Sequence, residues 1–207
     1  MKQLRLVVLD YGAGNLRSVV KALERLGARP EVSGEAEAVE RAEALVFPGQ
    51  GSCPQAMGAL KGRGLVEPLR RFLGSGRPYL GVCLGLQLLF DSSEEGPSPC
   101  LGILPGRVVR FPNTLKVPHM GWNLVRFQGE HPVLAPLPRE GRFYFVHSYY
   151  PVPEEPSLVA GATRYGVEFC AAVAQENNVA TQFHPEKSGE LGLALYDAFL
   201  RWARGVK

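Results

Sequence analysis

No two of the four cysteines, Cys53, Cys83, Cys100 and Cys170, form a Cys-x-x-Cys pair, and no two histidines stand at zinc-ligand spacing. A zinc module is therefore not expected, nor is a disulfide framework in a chain of this length. No run of about 18 apolar residues occurs, which excludes a membrane span by the usual helix criterion. The first apolar run gives way to Asp10 too soon for a secretory signal, so a cytoplasmic protein is expected. Basic residues are scattered: 23 Lys+Arg against 20 Asp+Glu leave a net charge of +3 with no basic stripe. Nucleic acid is not an expected partner. Internal repeats, low-complexity tracts and linkers are also missing, and residues 1–207 read as one domain.

What the chain has in plenty is glycine and proline, 24 and 17 of 207 residues. Apolar runs persist between them, so the excess signals many tight turns joining short elements, and such loops are where chemistry tends to sit. Residues 4–9 read as a strand buried on both faces. They run into a glycine-rich loop, Asp10-Tyr11-Gly12-Ala13-Gly14-Asn15. Helical spacing follows over 16–26, with Gly27 as its stop. A buried strand over 44–47, a helix over 65–73, a strand over 79–82 and a helix over 84–90 continue the alternation. That pattern argues for a parallel sheet wrapped by helices. From 107 to 183 the apolar runs are short and strand-like, and antiparallel hairpins are the simplest reading. A terminal helix is expected over 191–202.

Gly81-Val82-Cys83-Leu84-Gly85 falls where a predicted strand runs straight into a predicted helix. A nucleophile there sits on a sharp turn between glycines that let the backbone pass closely. The turn pushes the side chain out at the carboxyl end of the sheet, where open α/β sheets bind ligands. A helix N-terminus behind a thiol favours its ionised form. The bland alternative is a core cysteine at a glycine-tolerant strand end. A second stretch, Thr181-Gln182-Phe183-His184-Pro185-Glu186, bears on the choice. His184 ends a predicted strand, and in extended chain residues two apart project to one side. Glu186 can then bond one imidazole nitrogen and leave the other for a thiol, an arrangement of nucleophile, base and orienter in the order Cys83, His184, Glu186.

With these residues in view the chain resembles the class I, or triad, glutamine amidotransferases. The matching pieces are Pro48-Gly49-Gln50-Gly51, Gly81-Val82-Cys83-Leu84-Gly85-Leu86-Gln87 and Gln182-Phe183-His184-Pro185-Glu186. The resemblance implies an α/β fold with a flavodoxin-like open, mostly parallel sheet flanked by helices and an antiparallel portion in the C-terminal half. It implies glutamine as substrate, no cofactor, and hydrolysis through a γ-glutamyl thioester on Cys83. The oxyanion would be met by backbone N–H groups of Leu84 and of Gly51. Relatives often carry a small apolar residue where this chain has Gln50. Gly49, Gln87, Glu95, His147, Ser148 and Tyr149 are expected to contact glutamine. For Gln87 an ordinary polar helix residue is the alternative, and for Glu95 a solvated loop carboxylate.

Three further stretches resemble the glutaminase subunits of imidazole glycerol phosphate synthases of histidine biosynthesis. They are the 10–15 loop, Pro118-His119-Met120-Gly121-Trp122-Asn123, and Tyr144-Phe145-Val146-His147-Ser148-Tyr149-Tyr150, with Lys187-Ser188 after the His-Pro-Glu. That resemblance implies a heterodimer with a (β/α)8-barrel cyclase subunit that uses the ammonia to make imidazole glycerol phosphate and an aminoimidazole carboxamide ribotide. It places Asn15, Trp122, Tyr144 and Lys187 on the partner face at the mouth of the site. Trp122 and Tyr144 read equally as core aromatics. His119 and His147 lack a third ligand, so no metal is expected. The rivals are a glutaminase subunit of another synthase, of the pyridoxal phosphate or anthranilate type, a cysteine hydrolase with a similar elbow, and a silent binding module.

Overall fold

Leu6, Val7, Val8 and Leu9 are all buried, and their alternate side chains feed two different apolar layers. A strand that must satisfy both faces belongs at the middle of a sheet covered by helices on either side. The computed structural model, which describes residues 3–13, 15–96 and 98–205, has that architecture. Gly14 of the first glycine loop lies outside the described residues.

The first half runs β1 Leu6–Leu9, α1 Leu16–Arg25, β2 Glu31–Ser33, α2 Ala36–Arg41, β3 Ala44–Gly49, α3 Cys53–Gly62, α4 Val66–Leu73, β4 Tyr79–Cys83 and α5 Leu84–Gln87. The second half runs β5 Ser92–Ser93, β6 Ser98–Pro99, β7 Gly106–Arg110, β8 His119–Phe127, β9 Glu140–His147, β10 Tyr149–Pro153, β11 Val159–Tyr165, β12 Val167–Gln175, β13 Asn178–Thr181 and α6 Gly189–Gly205. Among the described residues, nine strands form one sheet in the order β2-β1-β3-β4-β13-β12-β11-β8-β9. The pairs from β2 to β13 are parallel, and those from β13 to β9 are antiparallel. A small sheet, β10-β7-β5-β6, lies beside it. Helices α2, α3 and α4 cover one face through Val39, Met57, Leu60, Leu69 and Phe72. Helices α1 and α6 cover the other through Val19, Leu23, Leu195, Tyr196 and Phe199. No helix among the described residues is long and apolar enough to cross a membrane.

Several local expectations change. The final strand of the supposed antiparallel half, β13, is parallel to β4 and sits in the centre of the sheet. The strand ends at Thr181, and Pro185–Lys187 form a 3-10 turn that starts from His184. Pro185 explains the change, because a fixed φ suits the first turn of a helix better than continued strand pairing. The helix behind Cys83 spans only Leu84–Gln87 and decays into tighter turns, with Leu89 N–H bonded to Leu86 and Phe90 N–H to Gln87. Its dipole contribution is correspondingly short. Helix α3 is unexpected, since Cys53-Pro54-Gln55-Ala56-Met57-Gly58-Ala59-Leu60-Lys61-Gly62 has small residues where a periodic stripe would show. Ser52 starts it by accepting from Gln55 N–H at 3.4 Å, with a proline in the first turn.

Candidate active site

Strands β3 and β4 pair in parallel with Gly49 opposite Cys83, and β13 lies on the other side of β4 with Thr181 opposite Val82. The carboxyl ends of three adjacent central strands therefore deliver the glycine loop, the cysteine and the His-Pro-Glu turn to one spot. Cys83 has φ 53° and ψ −99°, a conformation that non-glycine residues rarely take. A methyl group on Gly85 would lie 2.2 Å from the Phe47 carbonyl oxygen, and one on Gly49 would lie 2.4 Å from the Leu84 Cβ. The turn is held by this tight contact of β3 with the elbow.

A cleft of about 380 Å³ opens over the cysteine. Of the sequence-derived candidates, Gly51, Cys83, Leu84, Gln87, Glu95, His147, Ser148, Tyr149, His184 and Lys187 line it. Gly49 does not appear on the wall; its place is beneath, pressed against Leu84. Glu186 stands behind His184, with Oε1 2.8 Å from Nδ1 and both side chains 2% exposed. Nε2 of His184 is buried, with no hydrogen-bond partner of good geometry in the described structure. Burial alone would lower the pKa of this imidazole. The charge that Cys83 carries when ionised, and then Glu186, outweigh burial and push it up to about 10.

The backbone of the His184 turn is tied to β9. His184 N–H donates to the Tyr144 carbonyl at 2.9 Å, Tyr144 N–H donates to Ser188 Oγ at 3.0 Å, and Ser188 Oγ–H donates to the His184 carbonyl at 2.6 Å. The Tyr144 ring packs edge-on to Trp122, at 6.3 Å between centroids, and Lys187 Nζ lies 5.6 Å over the Tyr144 ring. Trp122 is 53% exposed and Met120 62% exposed, so the aromatic reading of Trp122 as core is set aside. Asn15 caps α1, with its oxygen accepting from Ser18 N–H and its amide donating to Ser18 Oγ at 2.7 Å.

His147 is pinned by a chain whose protons can be assigned. The Tyr149 carbonyl can only accept, so His147 Nδ1 carries the hydrogen and donates at 2.8 Å. Its Nε2 then accepts from His119 Nδ1 at 2.9 Å, and His119 Nε2 accepts from the Asn123 amide at 3.2 Å. Burial among Phe111, Phe145 and Phe169 keeps both rings neutral. It lowers His119 to about 4 and His147 to about 3, the latter despite its bond to Tyr149 and with help from the neighbouring imidazoles. Among the described residues no group of three or more His, Cys, Asp or Glu could hold a metal ion.

The roles of Tyr11 and Gln182 escape sequence reasoning, and the expected Glu95 takes a second role. Tyr11 donates its hydroxyl to the Gln50 carbonyl at 3.1 Å, fixing the glycine loop from the first strand's end. Glu95 accepts from Cys53 N–H at 2.9 Å, so its carboxylate anchors the start of α3 as well as lining the cleft. Gln182 is fully buried with Nε2 3.5 Å from Cys83 Sγ. Gln182 opens the 182–186 stretch that resembles the family, but its place beside the sulfur follows from register alone: it comes after Thr181 on a strand adjacent to the nucleophile's.

Comparison with known proteins agrees with this geometry. The family described as glutamine amidotransferase class-I matches residues 7–201. The imidazole glycerol phosphate synthase subunit HisH of Syntrophotalea carbinolica is 50% identical over 202 residues, covering 94% of this chain and 98% of that one. Its counterpart from Aromatoleum aromaticum is 48% identical over 207 residues, covering 95% and 97%. The solved structure of PurLQS from Thermotoga maritima superposes with a TM-score of 0.78 at 20% identity, covering 97% of this chain and 99% of that one, a likeness of fold.

Proposed function

Since the chain belongs to the class-I glutamine amidotransferase family, we propose that its cleft hydrolyses glutamine to glutamate and ammonia, as the glutaminase subunit of an imidazole glycerol phosphate synthase in histidine biosynthesis. The observation that carries the reading is the line from a strained, cleft-facing Cys83 through His184 to a buried Glu186.

The chemistry follows from the groups present. The Cys83 sulfur attacks the side-chain carboxamide carbon, and the C=O electrons move onto oxygen. That oxygen is met by the N–H groups of Leu84 and Gly51. Leu84 opens a helix, so its N–H has no intrahelical acceptor. The intermediate collapses, the C–N bond breaks, and His184 hands its proton to the departing nitrogen, releasing ammonia and leaving a γ-glutamyl thioester. A water molecule gives a proton to His184 and adds to the thioester. The C–S bond then breaks to yield glutamate and the free sulfur. Glu186 keeps Nδ1 protonated and supports the imidazolium throughout. Gln87, Glu95, His147, Ser148 and Tyr149 form the wall against which the amino-acid end of glutamine would rest.

The partner in this reading is a (β/α)8-barrel cyclase subunit, with the pair working in the cytoplasm. Exposed Met120 and Trp122, with Tyr144 and Lys187 beside the cleft mouth, support a docking face there. Asn15, at the start of α1, joins the proposed face by resemblance. A sealed path matters because ammonia protonated in water is no longer nucleophilic. The test is release of glutamate from glutamine by the chain alone and with a barrel subunit carrying its ribotide. Strong stimulation by the loaded partner, abolished in Cys83→Ala, is expected. Turnover retained in that variant would refute the nucleophile assignment.

A further inference from the structure

We propose that Gln182 is a positioning residue for the nucleophile, its side-chain N–H donating to the Cys83 sulfur in an orientation locked by Gln87. The inference rests on the reading of Cys83 as nucleophile and adds a group that acts on the sulfur from the side of the sheet.

The argument is one of polarity. A side-chain amide can be turned either way, and only its neighbours decide which end is nitrogen. Here the chain of bonds starts at a group that has no choice. The backbone carbonyl of Tyr149 can only accept, so the end of Gln87 that meets it at 2.9 Å is the NH2. The same nitrogen lies 3.1 Å from the near end of the Gln182 amide, which must therefore be the oxygen. The oxygen of Gln87, on its other side, accepts from the Cys53 thiol at 3.7 Å. With its oxygen committed to Gln87, Gln182 can present only Nε2 to Cys83, and it does so at 3.5 Å from Sγ. Turning Gln87 over would set its oxygen against the Tyr149 carbonyl, and turning Gln182 over would set two NH2 groups against each other, both in a dry interior. Gln182 is 0% exposed and Gln87 5% exposed, so water cannot relieve such a clash. The backbone is fixed too, since Gln182 N–H donates to the Ala171 carbonyl at 2.8 Å.

An N–H aimed at sulfur favours the anion over the thiol. It acts at both ends of the proposed cycle: it holds the attacking sulfur in its strained seat, and it receives the negative charge when the C–S bond breaks. His184 meets the sulfur as a proton carrier, whereas Gln182 exchanges no proton and cannot replace it.

The experiment uses the full chain and two variants of similar size, Gln182→Met, which removes the donor, and Gln182→Glu, which puts an oxygen in its place. Alkylation of Cys83 by iodoacetamide is followed by mass spectrometry as a function of pH, alongside a thermal melt and steady-state glutamine hydrolysis with the barrel partner. The expected result is a midpoint of the alkylation profile raised by about one pH unit in Gln182→Met and further in Gln182→Glu. A kcat lowered about tenfold, with KM within about twofold, should accompany it. If Gln182→Glu fails to fold, Gln182→Met still reads the effect. A variant that melts lower but keeps the wild-type alkylation profile assigns Gln182 a structural role alone and overturns the inference. Absence of Cys83 labelling in the wild-type chain at any pH instead overturns the nucleophile reading on which the inference rests.

Discussion

Replacing Glu186 by glutamine keeps the shape of the side chain and removes its charge. The carboxylate lies 2.8 Å from His184 Nδ1 with both partners 2% exposed, so solvent and salt screen the pair weakly. A hydrogen bond to a charged group in such a place is worth about 1.5–3 kcal/mol. With His184 raised to about 10 the imidazolium is already formed at rest, and the loss reaches kcat to the extent that its proton transfer to ammonia leans on Glu186. At 1.36 kcal/mol per factor of ten, kcat should fall roughly 10- to 150-fold with KM little changed. The loss grows if the new amide turns its nitrogen towards Nδ1. The imidazole would then carry its proton on Nε2 and could not accept one from the thiol, a tautomer error that reaches ~10⁴-fold in serine hydrolases. Tyr196 favours that outcome, because burial alone still keeps its phenol protonated beside this group. The same substitution has a signature in stability. His184 is raised from 6.5 to about 10 on folding, so its contribution is fully present below about pH 6.5 and is lost as pH climbs through about 10. The variant should therefore melt well below wild type near pH 6.5, and the gap should close above pH 10. Glutaminase kinetics with the partner and melts across that range are the assays. Unchanged kcat together with a melting difference independent of pH would refute the account of Glu186 as the support of His184.

Gly85→Ala places a methyl 2.2 Å from the Phe47 carbonyl oxygen and should lower stability by about 3 kcal/mol, read as a reduced urea midpoint at unchanged slope. An unshifted midpoint would mean the elbow has slack. Trp122→Ala removes an exposed anchor and should weaken binding of the barrel subunit about 30-fold by calorimetry while leaving the melting temperature alone. A drop in melting temperature with unaltered binding would return Trp122 to the core. Tyr11→Phe frees the Gln50 carbonyl and with it the Gly51 N–H of the same peptide, so hydrolysis of glutamine should fall about fivefold as the oxyanion donor loses its fixed aim. A rate equal to wild type would show that this tether does not restrain the loop.

The elbow is legible in the sequence because close backbone approach demands glycine, and Gly81 and Gly85 bracket Cys83 where a buried run ends. The pairing of His184 with Glu186 is legible from spacing. The path is not, because a two-residue offset is met by extended chain and by a 3-10 turn alike. Helix α3 leaves no periodic trace, as its cap, proline and tertiary packing do what an apolar stripe does elsewhere. The two short strands that follow the elbow helix, β5 and β6, are polar two-residue pieces with no apolar run to announce them. Gln182 is hidden for another reason. Its meaning lies in which strand is next to β4, and neighbours in a sheet are not written in chain order.

That insertion of β13 between β4 and β12 has a bearing on when activity can arise. A protein is made from its N-terminus, and the strand carrying the nucleophile emerges long before residues 178–186. Until the late strand threads into the central gap, the sulfur has neither its proton carrier nor its amide donor. An unfinished or clipped chain would carry a cysteine but no competent hydrolase. The topology works as an interlock, withholding reactivity until the last structural piece of the sheet is home.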